Sequence, residues 1–242
     1  MQNLYDILPY PKGWGILKKM ETNKIYNEDC LEGLKRLEDN SIDLVITDPP
    51  YNWGKDFEND NLEEKEYWEF IVKVFEELYR ISKSWISVDI PRTRLLDFQK
   101  VICNKFIFYD YFCLAVNNSM ANCGLGIDRF SLKIIAKKNQ EDKIKHRKSN
   151  LFISHRSSTG KYTGHPTQKD LNGYKYIIQM LSNEGDLVLD CFMGSGTTAV
   201  ACKQLNRNFI GFEISKDYLD MCNKRLEQET LNNGGKFFSS QP

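Results

Sequence analysis

The run Ile42–Thr47 (IDLVIT) constrains this chain more than any other segment. It is short, β-branched and almost wholly apolar, so as a strand it carries apolar side chains on both faces. Such a strand has to be covered on both sides, as in the middle of a parallel sheet flanked by helices. Leu187–Asp190 and Phe209–Glu213 have the same character, and helical patterns lie between the three. Strands alternating with helices predict an α/β fold with a mostly parallel sheet.

The other expected elements fit that frame. A strand is expected near Ile25–Asn27 and a helix over Leu31–Leu37. A longer helix over Glu63–Ile81 would place Trp68, Ile71, Val72, Phe75 and Leu78 on one face. Trp85–Ile90 reads as a strand and Arg92–Asn104 as a helix. Phe106–Val116 and Phe130–Ala136 read as an antiparallel pair near one edge, joined by a long connection, which makes the sheet mixed. Thr167–Leu181, Thr197–Leu205 and Lys216–Gln228 read as helices. Residues 1–23 are expected to form an irregular leader, 24–231 one domain, and 232–242 a disordered tail.

Composition narrows the class. The 242 residues carry equal numbers of acidic and basic side chains, so a uniformly basic nucleic-acid binder is excluded. The charge is uneven, however, and Arg129–Lys175 is strongly basic, which suits phosphate contacts. No apolar run approaches the roughly 20 residues that span a bilayer. The first residues lack signal-peptide regions, so a cytoplasmic protein is expected. Seven cysteines, scattered and without a C-x-x-C pair, argue against a disulfide framework and against a zinc site, and no metal is expected.

Two strand ends carry chemistry. The first is Asp190-Cys191-Phe192-Met193-Gly194-Ser195-Gly196-Thr197-Thr198, an acidic strand end, a glycine turn and a helix start. Glycines let the backbone turn tightly and approach a ligand, and the helix N-terminus offers unpaired N–H groups. About twenty residues on, a second strand ends at Glu213, where a carboxylate can accept from ribose hydroxyls. The turn departs from G-x-G-x-x-G because Ala199 takes the last position, and no P-loop lysine is present. These residues by themselves indicate a ligand with a ribose. The second strand end is Thr47-Asp48-Pro49-Pro50-Tyr51. The prolines fix φ and cannot continue a ladder, so the turn is stiff. It can aim the Asp48 carboxylate and a backbone carbonyl at one point beside the Tyr51 ring, as a planar base with an exocyclic amine requires.

On these residues the chain resembles the amino-methyltransferases of DNA. Asp48-Pro49-Pro50-Tyr51 is similar to their catalytic D/N/S-P-P-Y/F/W motif, and Phe192–Gly196 to their F-x-G-x-G motif. The catalytic motif comes first and His165-Pro166-Thr167-Gln168-Lys169 precedes the glycine motif, an order similar to the β group. The resemblance covers roughly Lys24 to Leu226. It implies a circularly permuted, Rossmann-like methyltransferase fold with a seven-stranded mixed sheet, and S-adenosylmethionine as cofactor. Around that cofactor it places Asp29, Cys30, Asp48, His165, Thr167, Gln168, Asp190, Phe192, Gly194, Ser195, Gly196, Thr197 and Glu213. Asp29 would lie near the adenine and Glu213 on the ribose.

The implied activity is methyl transfer to the N6 amine of a flipped adenine in DNA, with Asp48, Pro49, Pro50 and Tyr51 as the catalytic set. N4-cytosine enzymes share the chemistry but more often carry Ser at the first motif position, and an RNA or protein acceptor is a further alternative. Residues 137–164 would form a short basic target-recognition insertion. DNA contacts are expected from Trp53 and Lys55 after the motif and from Lys137, Lys138, Arg147, Lys148, Arg156 and Lys161. A homodimer and a cognate restriction endonuclease are the candidate protein partners. The chain departs from the family in two places. Asp170 stands where H-P-T-Q-K-P ends in proline, and Leu114–Asn118 stands where Trp-x-Lys is usual.

Overall fold

The computed structural model describes residues 20–54, 61–116, 122–123, 126–127, 130–154 and 168–232. Ten strands and six α-helices follow the chain as β1 (Lys24–Asn27), α1 (Cys30–Lys35), β2 (Ile42–Thr47), α2 (Glu64–Ile81), β3 (Ser82–Ile90), α3 (Leu95–Cys103), β4 (Ile107–Val116), β5 (Asn122–Cys123), β6 (Gly126–Ile127), β7 (Phe130–Lys137), β8 (Leu151–Ser154), α4 (Leu171–Leu181), β9 (Leu187–Asp190), α5 (Thr197–Gln204), β10 (Asn208–Glu213) and α6 (Lys216–Asn232). The main sheet has the order β1-β10-β9-β2-β3-β7-β4-β8. All its neighbours pair in parallel except β7, which is antiparallel to both β3 and β4.

The sheet therefore has eight strands rather than seven. The extra one is β8, which lies in the segment expected to be a basic target-recognition insertion and pairs in parallel outside β4. The antiparallel pair lies near one edge, as expected, with β8 outside it. β8 was hidden because an outer strand of four residues carries little apolar signal. Leu151 and Ile153 are half exposed, while Phe152 packs inward and Ser154 is buried.

Helices cover both faces. Under α1, α2 and α3 lie Val45, Ile86, Val88, Ile134 and Phe212. Under α4, α5 and α6 lie Leu44, Ile46, Trp85, Ile135 and Val188. Alternate residues of β2 thus enter opposite cores, as its two-sided apolar sequence requires. On α2 the buried positions are Tyr67, Ile71, Val74, Phe75, Leu78 and Ile81. Val72, expected on that face, is exposed, because at one residue past Ile71 it turns about 100° away on a helix of 3.6 residues per turn. Met20 also belongs to the core, so packing begins ahead of β1.

α1 lies close against β10. A methyl group at Gly33 would sit 2.5 Å from the ring of Phe212, which is fully buried and has no room to swing. Gly33→Ala should therefore destabilise the fold by about 1–3 kcal/mol through overpacking, although alanine is intrinsically the better helix former by about 1 kcal/mol. Urea unfolding of the two proteins measures this, and a stabilised variant would contradict the tight contact.

Candidate active site

The order of the strands creates the site. From β1 the chain crosses to the centre at β2 and builds outward through β3, β7, β4 and β8. It then returns at β9, which fits between β2 and β10. The sheet reverses its order of winding where β2 meets β9, and ligands in such sheets bind beyond the carboxyl ends at that point. Leu44 is in register with Val188 and Val45 with Leu189, so the two motif-bearing ends emerge side by side. The Thr47 hydroxyl donates to Asp190 Oδ1 at 3.0 Å across this junction.

Asp190 is the anchor of the glycine turn. Its Oδ1 also accepts the Phe192 N–H at 3.1 Å, and its Oδ2 accepts the Thr198 hydroxyl at 2.5 Å. The turn itself needs glycine, with Gly194 at φ 53° and Gly196 at φ 78°. Gly196 has a second reason, since a Cβ there would approach Cys222 Sγ at 3.0 Å. Glu213 closes the turn from β10, its Oε2 accepting the Gly194 N–H at 2.7 Å and its Oε1 the Ser215 N–H at 2.9 Å. From α6, the Cys222 thiol donates to the Gly194 carbonyl at 2.9 Å and Arg225 to the Ser195 carbonyl at 2.9 Å. Burial raises the carboxyls of both Asp190 and Glu213, Asp190 to about 6.

The D-P-P-Y turn stands opposite. Tyr67 on α2 donates to the Pro50 carbonyl at 2.9 Å. Asn52, at φ 58°, exchanges two hydrogen bonds with the Leu62 backbone. Asp48 is paired on both oxygens, accepting the Tyr51 hydroxyl on Oδ1 and lying 2.8 Å from Lys169 Nζ through Oδ2. Burial and then the Asp48 charge push the Tyr51 phenol well above its usual range, so it remains a donor. The Tyr51 ring meets Trp53 edge-on at 5.1 Å, and Trp53 is half exposed. Asp48, Lys169, Tyr174, Asp190 and the Phe192–Ser195 turn line one cleft with Thr197 and Thr198.

Behind the cleft lies a buried charge cluster. Asp89 on β3 faces Lys133 directly across the β3–β7 ladder, and its Oδ2 accepts from both Lys133 Nζ and the Tyr174 hydroxyl. The Lys133 ammonium sits 4.2 Å from the centre of the Tyr174 ring. Sequence reading missed Asp89, Lys133 as a buried group, and Tyr174. Their relation depends on the register between two strands that are far apart in the chain.

The remaining expected residues divide. Asp29 caps α1, with Oδ1 accepting the Leu31 N–H at 2.8 Å, and stands two residues beyond Asn27, the register partner of Glu213. Cys30 is buried in the core, and burial pushes its thiol upward. Gln168 precedes Lys169 at the cleft wall. His165, Thr167, Lys55, Arg156 and Lys161 lie outside the described residues. Lys137 and Lys138, expected on DNA, are engaged by backbone carbonyls. Lys137 is opposite Trp85, at the far end of the sheet from the cleft, and donates to the carbonyls of Gln140 and Asp142. Lys138 donates to the carbonyls of Tyr79 and Ser82, at the end of α2. Lys148 donates to Gln179 and lies over the Tyr176 ring, whereas Arg147 is exposed. Among the described residues no group of three or more His, Cys, Asp or Glu is placed to hold a metal ion, and no helix is long and apolar enough to cross a membrane.

Known proteins resemble this chain in sequence and in fold. The family model described as DNA methylase matches residues 42–122 and 109–224. Type II methyltransferase M.HpaI of Haemophilus parainfluenzae is 34% identical over 239 residues, covering 83% of this chain and 73% of that protein. DNA adenine methyltransferase YhdJ of Escherichia coli strain K12 is 28% identical, covering 86% of this chain and 83% of that protein. The M1.HpyAVI–SAM complex superposes with a TM-score of 0.67 at 30% identity, covering 84% of this chain and 98% of that chain. The PvuII DNA methyltransferase, described as cytosine-N4-specific, gives a TM-score of 0.70 at 21% identity, with 88% and 91% covered, a likeness of fold.

The buried Asp190 makes a prediction about stability. Its carboxyl ordinarily titrates at 3.8 and is held here at about 6. Between these values the unfolded chain has released its proton while the folded chain retains it, so folding loses stability as pH rises through that window. The stability of the wild type relative to Asp190→Asn should fall by about 2 kcal/mol between pH 4 and pH 7. Urea unfolding at each pH reads the difference, and a flat difference would contradict the raised carboxyl.

Proposed function

Because the chain belongs to the DNA methylase family of N6- and N4-directed amino-methyltransferases, we propose that it transfers a methyl group from S-adenosylmethionine to the N6 amine of an adenine flipped out of DNA. The observation that carries this reading is the shared cleft, in which Asp48 faces the glycine turn from a strand end hydrogen-bonded to its neighbour.

The residues present fit the cofactor. Asp29 and Glu213 bring carboxylates to the ends of two neighbouring strands, one for the adenine side and one for the ribose. Glu213 already accepts two backbone N–H groups, but a carboxylate has about four lone-pair sites, so it retains capacity for hydroxyl donors. Gly194, Ser195, Gly196, Thr197 and Phe192 would surround the methionine part, with Thr167 and Gln168 reaching its charged end. When bound, S-adenosylmethionine supplies a methyl group already activated by its sulfonium.

The chain's own task is to present the amine. Asp48 and the Pro49 carbonyl accept the two amino hydrogens, which draws the nitrogen toward a tetrahedral shape and favours the positive charge that develops on it. The Pro50 carbonyl is occupied by Tyr67, which fixes the turn that aims these acceptors. Extruding the base costs a few kcal/mol, and stacking on Tyr51 returns about 1–3 kcal/mol. Trp53, edge-on to Tyr51 and half exposed, would extend that platform. Arg147 and the basic residues near it would meet phosphates.

Adenine is favoured by aspartate at the first motif position and by the likeness to a protein named as an adenine methyltransferase. N4-cytosine methylation is the second reading, since the same acceptors serve either amine. Relatives named as type II methyltransferases suggest a restriction-modification setting, with a cognate endonuclease as partner. The test is labelled methyl transfer to DNA followed by nucleoside mass spectrometry. N6-methyladenine is expected, and N4-methylcytosine would replace the adenine reading while keeping the chemistry. Asp48→Ala should retain the fold and lose about 10²–10³ in rate. Wild-type turnover in that variant would sink the assignment of the motif.

A further inference from the structure

Lys169 reaches two carboxylates from one position. Its Nζ lies 2.8 Å from Asp48 Oδ2 and 3.7 Å from Asp89 Oδ1. The two acids differ in what surrounds them. Asp48 is about a quarter exposed on a turn, whereas Asp89 is buried within the sheet and anchored through Oδ2 by Lys133 and Tyr174. Asp89 Oδ1 is buried without a hydrogen bond and faces Lys169. Asp48, Asp89, Lys133 and Lys169 together form one contiguous cluster of two carboxyl and two amine side chains, in which burial pulls the Lys133 amine well below its usual range. Its inner half is fixed by the β3–β7 register and its outer half is open to the cleft.

We propose that Lys169 is a positioning residue for the Asp48 carboxylate, steadied from behind by Asp89. This rests on the methyl-transfer reading above. A carboxylate on a turn can rotate, and an amine has to meet it at a defined angle. The Tyr51 hydroxyl holds one Asp48 oxygen and Lys169 holds the other, so the plane of the group is set from both ends. Each oxygen still has a lone pair for an incoming N–H. An ammonium beside a nitrogen that is becoming positive would oppose the reaction. The free oxygen of Asp89 draws the Lys169 charge inward, away from the amine. In this scheme Lys169 acts on the amine through Asp48.

The experiment is steady-state methyl transfer to DNA by the wild-type protein, Lys169→Met and Lys169→Arg, with thermal unfolding of each. Misplacing a reacting group by about 1 Å costs up to about 10²-fold in rate. Lys169→Met should therefore lower kcat by about tenfold to a hundredfold while leaving KM for DNA and for cofactor within about twofold. Lys169→Arg keeps the charge and should recover most of the loss. Unfolding midpoints of Asp48→Asn, Lys169→Met and the double variant should not add, as for two groups in contact. Wild-type kcat in Lys169→Met, a loss confined to KM, or additive midpoints would each overturn the inference and leave the functional reading standing. A wild-type protein that transfers no methyl group to DNA would remove that reading, and this inference with it.

Discussion

The parallel pairing of β2 with β9 is the constraint on which the rest of this structure depends. It joins residues about 140 positions apart and lays the D-P-P-Y turn beside the glycine turn. A strand's side chains alternate with period two, so a slip of one residue would send Thr47 and Asp190 to the wrong faces. Burial opposes such a slip strongly. Leu44 and Ile46 fill one core and Val45 the other, with no exposure on either side. The apolar code of IDLVIT therefore does more than make a strand. It fixes the register in which the Thr47 hydroxyl meets the Asp190 carboxylate, and that contact ties the two halves of the cleft together.

A buried carboxylate is costly unless its oxygens are satisfied. Asp190 meets the requirement with two hydroxyls and a backbone N–H, and two of these partners, Phe192 and Thr198, belong to the cleft wall. Asp89 meets it differently, with a cross-strand lysine and a tyrosine from α4. Buried ion pairs of this kind seldom add much net stability, because desolvation consumes most of the attraction. What they supply is direction. Tyr174 reaches Asp89 from α4, the helix that follows Lys169, so the pair fixes where that segment docks against the sheet.

This division explains what could be read from the chain. IDLVIT, LVLD and their acidic ends were legible because a two-sided apolar strand and a following turn leave a local pattern. The Asp48 and Glu213 positions were legible for the same reason, as ends of such strands. β8 left no pattern, since Leu151 and Ile153 on an outer strand look like ordinary surface residues. Lys137 and Lys138 looked like free cations because a run of lysines has the same composition whether it faces phosphate or backbone carbonyls. Only the fold reveals that they close the polar end of α2 and the turn after β7. Asp89 and Lys133 were invisible as a pair. Forty-four residues separate them, and nothing but the antiparallel register places them opposite one another.

The engagement of Lys137 and Lys138 by backbone carbonyls bears on recognition under the proposed function. A chain with balanced charge gains little from long-range attraction to DNA. Lysines held by carbonyls at the opposite end of the sheet would neutralise fewer phosphates, and counterion release would contribute less to affinity. The weight of binding then shifts toward the cleft, where the base is extruded and stacked. That site is prepared before the base arrives, since the acceptors on Asp48 and the turn around Gly194 are already held by partners inside the protein. Preorganised acceptors avoid reorganisation at the moment of reaction, and their stabilisation is realised as charge develops on the amine. Selectivity in such an arrangement comes from which base can occupy the prepared site more than from the length of DNA that the protein covers.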